Sequence, residues 1–322
     1  MQRRGLLCGL AAGALHTQAW AQGLEALPDR PIRMVLPFQP GGATDAWMRT
    51  VAPALGEALG RTIVAENRSG ASAMIGADHV AKSPPDGTTL LFTILTYMQA
   101  PMVFRRFPYD PLGDFTPVGQ VGAAAATFVV QASTGARNLA EFIAAARGHS
   151  FSYGSYGTGS GSHVFSQLLS DAEGLGMTHV AYRGENPLIL DMLAGRVQCG
   201  LVSHTSTREH IQAGKLRVLA VLGPKRLLYL PETPTFLELG YPALFDWDGV
   251  VPLLAPTRTP APVMATLADG LRRAMARPEI VRRLSDLGLD AAWTPPAATQ
   301  ANLEAAQTRW AKVLQVTGIT AE

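Results

Sequence analysis

Residues 32–45 read IRMVLPFQPGGATD, and the fold turns on how this stretch is read. IRMVL is a short aliphatic run of the length and composition of a buried strand. Thr44 and Asp45 then open a segment in which Trp47, Val51, Leu55 and Leu59 recur every four residues, the stripe of an amphipathic helix. Between them stand two prolines and two adjacent glycines. A strand that passes through a glycine-rich turn into a helix is the building unit of α/β folds. Such a turn is either a plain connection or a cradle for an anion. Glycines leave backbone N–H groups uncovered, and a helix start adds unpaired donors.

The alternation continues along the chain. Residues 32–36, 62–66 and 88–93 read as strands, with helices at 44–59 and 72–82. Pro53 lies inside the first helix, where a proline costs about 3 kcal/mol or bends the axis. Composition shifts at 107–122 and again at 242–262, both rich in proline. Between these breaks strands are expected at 127–131, 151–154, 179–182, 197–202 and 216–222. Helices are expected at 138–147 with Asn138 as N-cap, and at 164–172, 187–194 and 205–213, the last two ended by Gly195 and Gly214. After Pro260 the pattern is mostly helical. Parallel sheets covered by helices follow from this order, in two α/β lobes joined by two crossing segments. Lobe 1 takes residues 30–126 and 247–322, and lobe 2, inserted in it, takes 127–246.

A second glycine-rich turn, GSYGTGSGSH at 154–163, also leaves a strand and feeds a helix. Open α/β sheets bind ligands at the carboxyl ends of their strands, so two such turns facing across a cleft are the candidate site. Thr44, Ser155, Thr158, Ser160 and Ser162 add hydroxyl donors. Neither turn carries the Gly-Lys-Ser/Thr of a phosphate loop or a complete Gly-x-Gly-x-x-Gly, which argues against nucleotides. There is no Gly-x-Ser-x-Gly elbow, His-Glu-x-x-His or Cys-x-x-Cys, so no catalytic or metal set is called. Asp45 is either a helix cap or a ligand contact. His163 enters its helix directly from the second turn.

The 322 residues carry 27 basic and 25 acidic side chains. Residues 1–21 contain Arg3 and Arg4 and no acid, so the remainder balances at 25 against 25. That neutrality argues against nucleic acid and anionic membrane surfaces as partners. The opening MQRRGLLCGLAAGALHTQAWAQ has the basic end, short apolar core and small-residue site of an export signal, with cleavage expected after Ala21. Arg3-Arg4 leaves the twin-arginine route open beside the general one. Cys199 would then be the single cysteine, in the apolar run VQCGLV, and is read as core.

PIRMVLPFQPGGATD, AENRSGASAMIGADHVAKSPPDGTTLLF, YGSYGTGSGSH, HVAYRGENPLILDMLAGRVQ, HIQAGKLRVLAV, LPETPTFLELGYP, APTRTPAPV and TRWAKVLQVTGI occur in this order. Together they resemble the Bug family, the extracytoplasmic solute-binding receptors of tripartite tricarboxylate transporters. The resemblance implies a periplasmic-binding-protein-like molecule, not an enzyme, that works without a cofactor as a monomer. It would close its two lobes on a small organic carboxylate and deliver it to integral membrane transporter subunits; a sensing subunit that signals to a histidine kinase is the alternative. By the same resemblance the carboxylate lies against Phe38, Gly41, Gly42, Ala43, Thr44 and Asp45 of the first turn. From the second come Ser155, Tyr156, Gly157, Thr158, Gly159, Ser160 and His163. The segment Tyr182, Arg183, Gly184, Glu185 stands where relatives have Tyr-Lys-Gly-Gly, and Glu185 speaks against a highly charged tricarboxylate. Thr96, Tyr156, Glu185 and Ser203 are expected in the pocket wall. Gly70-Ala71-Ser72-Ala73-Met74 replaces the family's Gly-Ala-Gly-Gly-Asn, so a changed conformation is expected there.

Overall fold

A computed structural model describes residues 26–320; the expected export signal lies outside them. The first lobe begins with β1 (Ile32–Leu36), α1 (Ala43–Leu59), β2 (Ile63–Asn67), α2 (Met74–Ala81), β3 (Thr89–Phe92), the single turn α3 (Thr96–Gln99) and β4 (Phe115–Ala124). The chain then crosses into the second lobe. This comprises β5 (Ala126–Gln131), α4 (Leu139–Ala146), β6 (Ser152–Ser155), α5 (Gly161–Ala172), β7 (Thr178–Ala181), α6 (Glu185–Leu193), β8 (Cys199–Val202), α7 (His204–Gln212) and β9 (Leu216–Leu222). It returns through 223–248 to complete the first lobe with β10 (Gly249–Pro256), α8 (Ala261–Met275), α9 (Pro278–Asp286), β11 (Asp290–Thr294) and α10 (Pro296–Thr317).

Two sheets result, ordered β11-β4-β10-β3-β1-β2 and β7-β6-β8-β5-β9. Both are mixed, which corrects the expectation of parallel sheets. Only β1 with β2 and β3, and β6 with β7 and β8, run parallel. The antiparallel partners are the strands near the crossings: β4 and β10 pair with each other, and β5 pairs with β8 and β9. The composition shift at 107–122 is mostly taken up by β4 and the turns before it, and the chain crosses next to the expected 126/127 boundary. The crossing falls at Ala125, between β4 and β5, and Ala124 stands opposite Gly249 where the return strand begins. A pair of adjacent strands therefore leaves one lobe for the other.

In each lobe the first parallel strand sits between the next two, as 2-1-3 and 7-6-8. The connections leave such a strand in opposite directions, which opens a crevice at its carboxyl end. PFQPGGATD follows β1 and SYGTGSGSH follows the last glycine of β6, so both turns occupy these switch points.

Side-chain caps explain three of the helix starts. Asn138 Oδ1 accepts from Glu141 N at 2.9 Å and caps α4 as expected. Ser160 and Ser203 cap α5 and α7 through bonds from His163 N and Ser206 N. The first helix passes through Pro53 as one element. Other boundaries differ from the pattern reading. The second helix starts at Met74 rather than 72, because Ala71, Ser72 and Ala73 have φ of 44°, 51° and 75°. The chain keeps a left-handed path there with side chains that ordinarily avoid it, at a cost in backbone strain. α6 begins two residues before Pro187, and β8 begins at Cys199.

One apolar cluster spans both lobes, running from Val35, Val80 and Leu91 to Phe128, Phe142, Tyr153 and Phe165. α10 ties them together. Trp310 is fully buried, 5.4 Å from the Trp247 ring and 6.1 Å from Phe165, and its Nε1 donates to Gln99 O at 3.2 Å. Cys199 is buried, as read from its sequence context, and desolvation pushes its thiol pKa well above the ordinary value.

Candidate functional site

The lobes enclose a cavity of about 80 Å³. Its lobe 1 wall comes from the first turn and the start of α1: Phe38, Gln39, Gly42, Ala43, Thr44 and Asp45. Ala46 N is the first α1 amide bonded to a turn carbonyl, at Gly42 O. The Ala43, Thr44 and Asp45 N–H groups ahead of it have no acceptor among the described residues. They are three of the four donors every helix start leaves open. Gly42 has φ −80° and ψ 176°, and a Cβ there would come no closer than 3.9 Å to another atom, at Gln39 O. The turn is uncrowded on the cavity side.

Asp45 does not spend its carboxylate on the cavity. It accepts from Arg49 Nε at 2.8 Å, Asn67 Nδ2 at 3.1 Å and Gly41 N at 3.2 Å. Burial alone would raise its pKa; the Arg49 guanidinium, the Gly41 N–H and the Asn67 amide outweigh that and hold it below the usual carboxylate value. Asn67 also donates to Phe38 O at 3.1 Å. A side chain from the end of β2 thus pins both ends of the turn. Gly41 lies off the cavity, under the Asn186 amide.

Thr96, the first residue of α3, lines the same wall with Ile94 and Leu95 from the link after β3. It is 1% exposed, and its Oγ1 has no hydrogen-bond partner among the described residues. A buried unpaired hydroxyl is uncommon in folded proteins.

The second turn is arranged differently from the first. Ser155 Oγ is 2.8 Å from His179 Nε2 and donates to Gly157 O at 3.1 Å. Ser160 Oγ donates to Gly157 O at 2.6 Å, and Gly159 N donates to His163 Nδ1 at 3.1 Å. His163 stacks on His179 with ring centroids 3.8 Å apart. Burial lowers the pKa of His163 to about 4 and, with the charge of its neighbour, that of His179 to about 3. Both rings are neutral near pH 7 and face the lobe interior. Of the expected residues here only Tyr156 reaches the cavity, together with Gly161; Ser155, Gly157, Thr158, Gly159, Ser160 and His163 do not. The turn instead packs on lobe 1. A Cβ on Gly157 would meet Ser72 Oγ at 2.9 Å, and Gly161 N donates to Gln99 Oε1 at 3.2 Å. Burial, and then the Glu185 charge, raise the Tyr156 pKa against the Ser162 N–H, so its hydroxyl keeps its proton.

Lobe 2 meets the cavity chiefly through Gly184, Glu185 and Asn186 at the start of α6, and Ser203 at the start of α7. The Glu185 and Asn186 N–H groups have no acceptor among the described residues. Tyr182 turns away, its hydroxyl donating to Asp191 Oδ2 at 2.8 Å. The lobes also touch beside α6 and α7. Asn186 Nδ2 donates to Pro40 O at 3.0 Å, Tyr229 OH to Gly288 O at 2.9 Å and Arg208 Nη1 to Asp286 O at 3.0 Å. The rest of the wall escaped the sequence reading: Gln39, Gln99 and Asn186, then Trp47, Leu222, Trp247 and the hinge residues 124–126 and 249. Trp47 falls on the stripe read as core, and the hinge residues form a wall only where the crossing strands meet. No group of three metal-ligating side chains occurs among the described residues.

Comparison with known proteins adds a family and three structures. The tripartite tricarboxylate transporter family receptor matches residues 47–319. The periplasmic binding protein BugD superposes with a TM-score of 0.87 at 30% identity, over 92% of this chain and 100% of that one. A protein from R. palustris solved with adipate gives 0.86 at 31% identity, over 91% and 99%. MatC from Rhodopseudomonas palustris, solved with bound malate, gives 0.83 at 27% identity, over 89% and 99%.

Proposed function

Because the chain belongs to the tripartite tricarboxylate transporter receptor family, whose members are periplasmic solute-binding proteins and not enzymes, we propose that it captures a small organic carboxylate between its lobes. In this reading it is exported, works in the periplasm and hands the acid to membrane subunits of a tripartite transporter. No helix among the described residues is long and apolar enough to cross a membrane.

One observation carries the reading. Ala43, Thr44 and Asp45 on one lobe, and Glu185 and Asn186 on the other, have unpaired N–H groups and line one cavity, as does Thr96 with its unpaired hydroxyl. Helix starts favour negative charge through their free donors and the positive dipole end. Micromolar affinity requires about 8 kcal/mol, and hydrogen bonds to a charged group contribute roughly 1.5–3 kcal/mol each. Four or five such bonds bracket that value, drawn from the four donors of lobe 1 and the two of lobe 2. The acid thereby bridges the lobes and favours the closed form. Contact residues are Ala43, Thr44, Thr96, Tyr156, Glu185 and Asn186, with Gly42 leaving the approach open. The adipate and malate carried by the two similar structures are acids of this class.

Thermal-shift screening of the purified protein against organic acids tests the proposal, with saturable stabilisation by at least one acid expected. A protein whose melting temperature answers to none of them is not this receptor. Loss of uptake of the same acid in a deletion strain tests the transport role.

A further inference from the structure

Resting on the carboxylate reading above, we propose that the cavity takes acids with one carboxylate and an uncharged, apolar body, and that Glu185 turns a second carboxylate away. Several helices begin at this cavity, among them α1, α6 and α7. α1 and α6 present free N–H groups, but the α7 start already holds a carboxylate. Glu185 Oε1 accepts from Ser203 N at 2.7 Å, while Oε2 accepts from Ser203 Oγ at 2.6 Å and Ser206 Oγ at 2.5 Å. The backbone of Glu185 opens onto the cavity while its side chain crosses to the neighbouring helix. The protein has supplied its own anion to the third set of donors.

Charge around the cavity points the same way. No lysine, arginine or histidine lines it, and its two ionisable acids are Asp45 and Glu185. Arg49 pairs with Asp45, whereas Glu185 has no ion-pair partner among the described residues. A second ligand carboxylate would meet Glu185 with no cation to offset it, and its preferred donors would be taken. Trp47, Ile94, Leu95, Leu222 and Trp247 give the remaining wall an apolar character that suits a hydrocarbon body. The buried, unpartnered Thr96 hydroxyl is on the lobe that carries the α1 start, and Thr96 lines the cavity with it.

Calorimetric titration with matched acids, butyrate against succinate and hexanoate against adipate, tests the assignment. The wild-type protein is expected to favour the monocarboxylate of a pair on the order of 100-fold, the scale of a like-charge contact in a closed site. Glu185→Gln keeps the side-chain shape and an acceptor for Ser203 N but removes the charge. It should move the ratio of affinities toward the dicarboxylate by about tenfold or more. Glu185→Gly also frees the α7 start and should move the ratio further; circular dichroism checks the fold of both variants. Succinate or adipate binding to the wild type as tightly as its partner, or an unchanged ratio in Glu185→Gln, overturns the assignment and leaves carboxylate capture standing. Binding of neither class overturns both.

Discussion

Thr96→Val should weaken ligand binding while leaving the unliganded protein at least as stable as before. The hydroxyl is buried and without a partner, a state that costs about 1–3 kcal/mol relative to a satisfied group. Valine has the same branched shape, so its γ-methyl occupies the place of Oγ1 and no void opens. Removing the hydroxyl returns some of that cost. On the scale of about 2–4 °C per kcal/mol for chains of a few hundred residues, the melting temperature holds or rises by a few degrees. The liganded state moves the other way. A hydrogen bond to a carboxylate is worth about 1.5–3 kcal/mol, and each 1.4 kcal/mol is tenfold in Kd. Its loss therefore raises Kd about 10- to 150-fold. Calorimetric titration supplies the affinity, and thermal melting without ligand supplies the stability. The opposite signs separate a ligand contact from a packing residue, whose loss would lower both. An unchanged Kd, or a lower melting temperature in the unliganded variant, would mean that the Thr96 hydroxyl is not a ligand contact.

Two glycine variants probe different things. Gly42→Val has room for its Cβ and an ordinary backbone; the side chain enters the cavity at the α1 start, so binding should vanish with melting within about 2 °C of wild type. Gly157→Val, at φ +155°, drives its Cβ into Ser72 on the other lobe, and small-angle scattering should report a more open particle. A particle of unchanged size would argue against the lobe contact. Stability should also fall in acid. His163 and His179 titrate near 6.5 when unfolded but at about 4 and about 3 when folded. Below pH 6.5 the unfolded chain binds more protons, so each ring removes about 1.4 kcal/mol per pH unit down to its folded value. Urea melts at pH 7.5 and 5 measure this, and a flat profile would contradict the buried neutral stack. Trp310→Ala removes a fully buried ring between the lobes and the donor to Gln99 O. Urea denaturation should show a loss of about 3–5 kcal/mol, and a loss below about 1 kcal/mol would mean that α10 does not tie the lobes together.

Much of the molecule follows from local chemistry. The run 32–36 forms β1, the four-residue stripe from Trp47 buries one face of α1, and Asn138 caps α4 because its side chain reaches Glu141 N. The glycine-rich turns announce themselves because few other residues leave backbone donors uncovered at a strand end. Where partners are distant in the chain, the pattern misleads. The carboxylate of Asp45, a residue read as a cap or a contact, accepts from Arg49 and Asn67, and Asn67 is 22 residues away. His163 looked aimed at a ligand because it opens a helix, but its ring finds His179 and the Gly159 N–H inside the lobe.

The residues thus determined two α/β halves, each with an open turn after its central strand, since hydrophobic period and backbone freedom are properties of a few neighbouring positions. Which turn keeps its donors free was decided only when the halves met. Lobe 1 and its own hydroxyls absorb most of the 155–163 turn, whereas the 38–45 turn touches α6 at Asn186 and lines the cavity with Phe38, Gln39 and residues 42–45. The carboxylate of Glu185 lies on the α7 start for the same reason: its three donors come from residues 203 and 206, which are adjacent to it in space and not in sequence. Hydrogen bonds and charges act through distance, and distances between remote segments exist only in the folded chain.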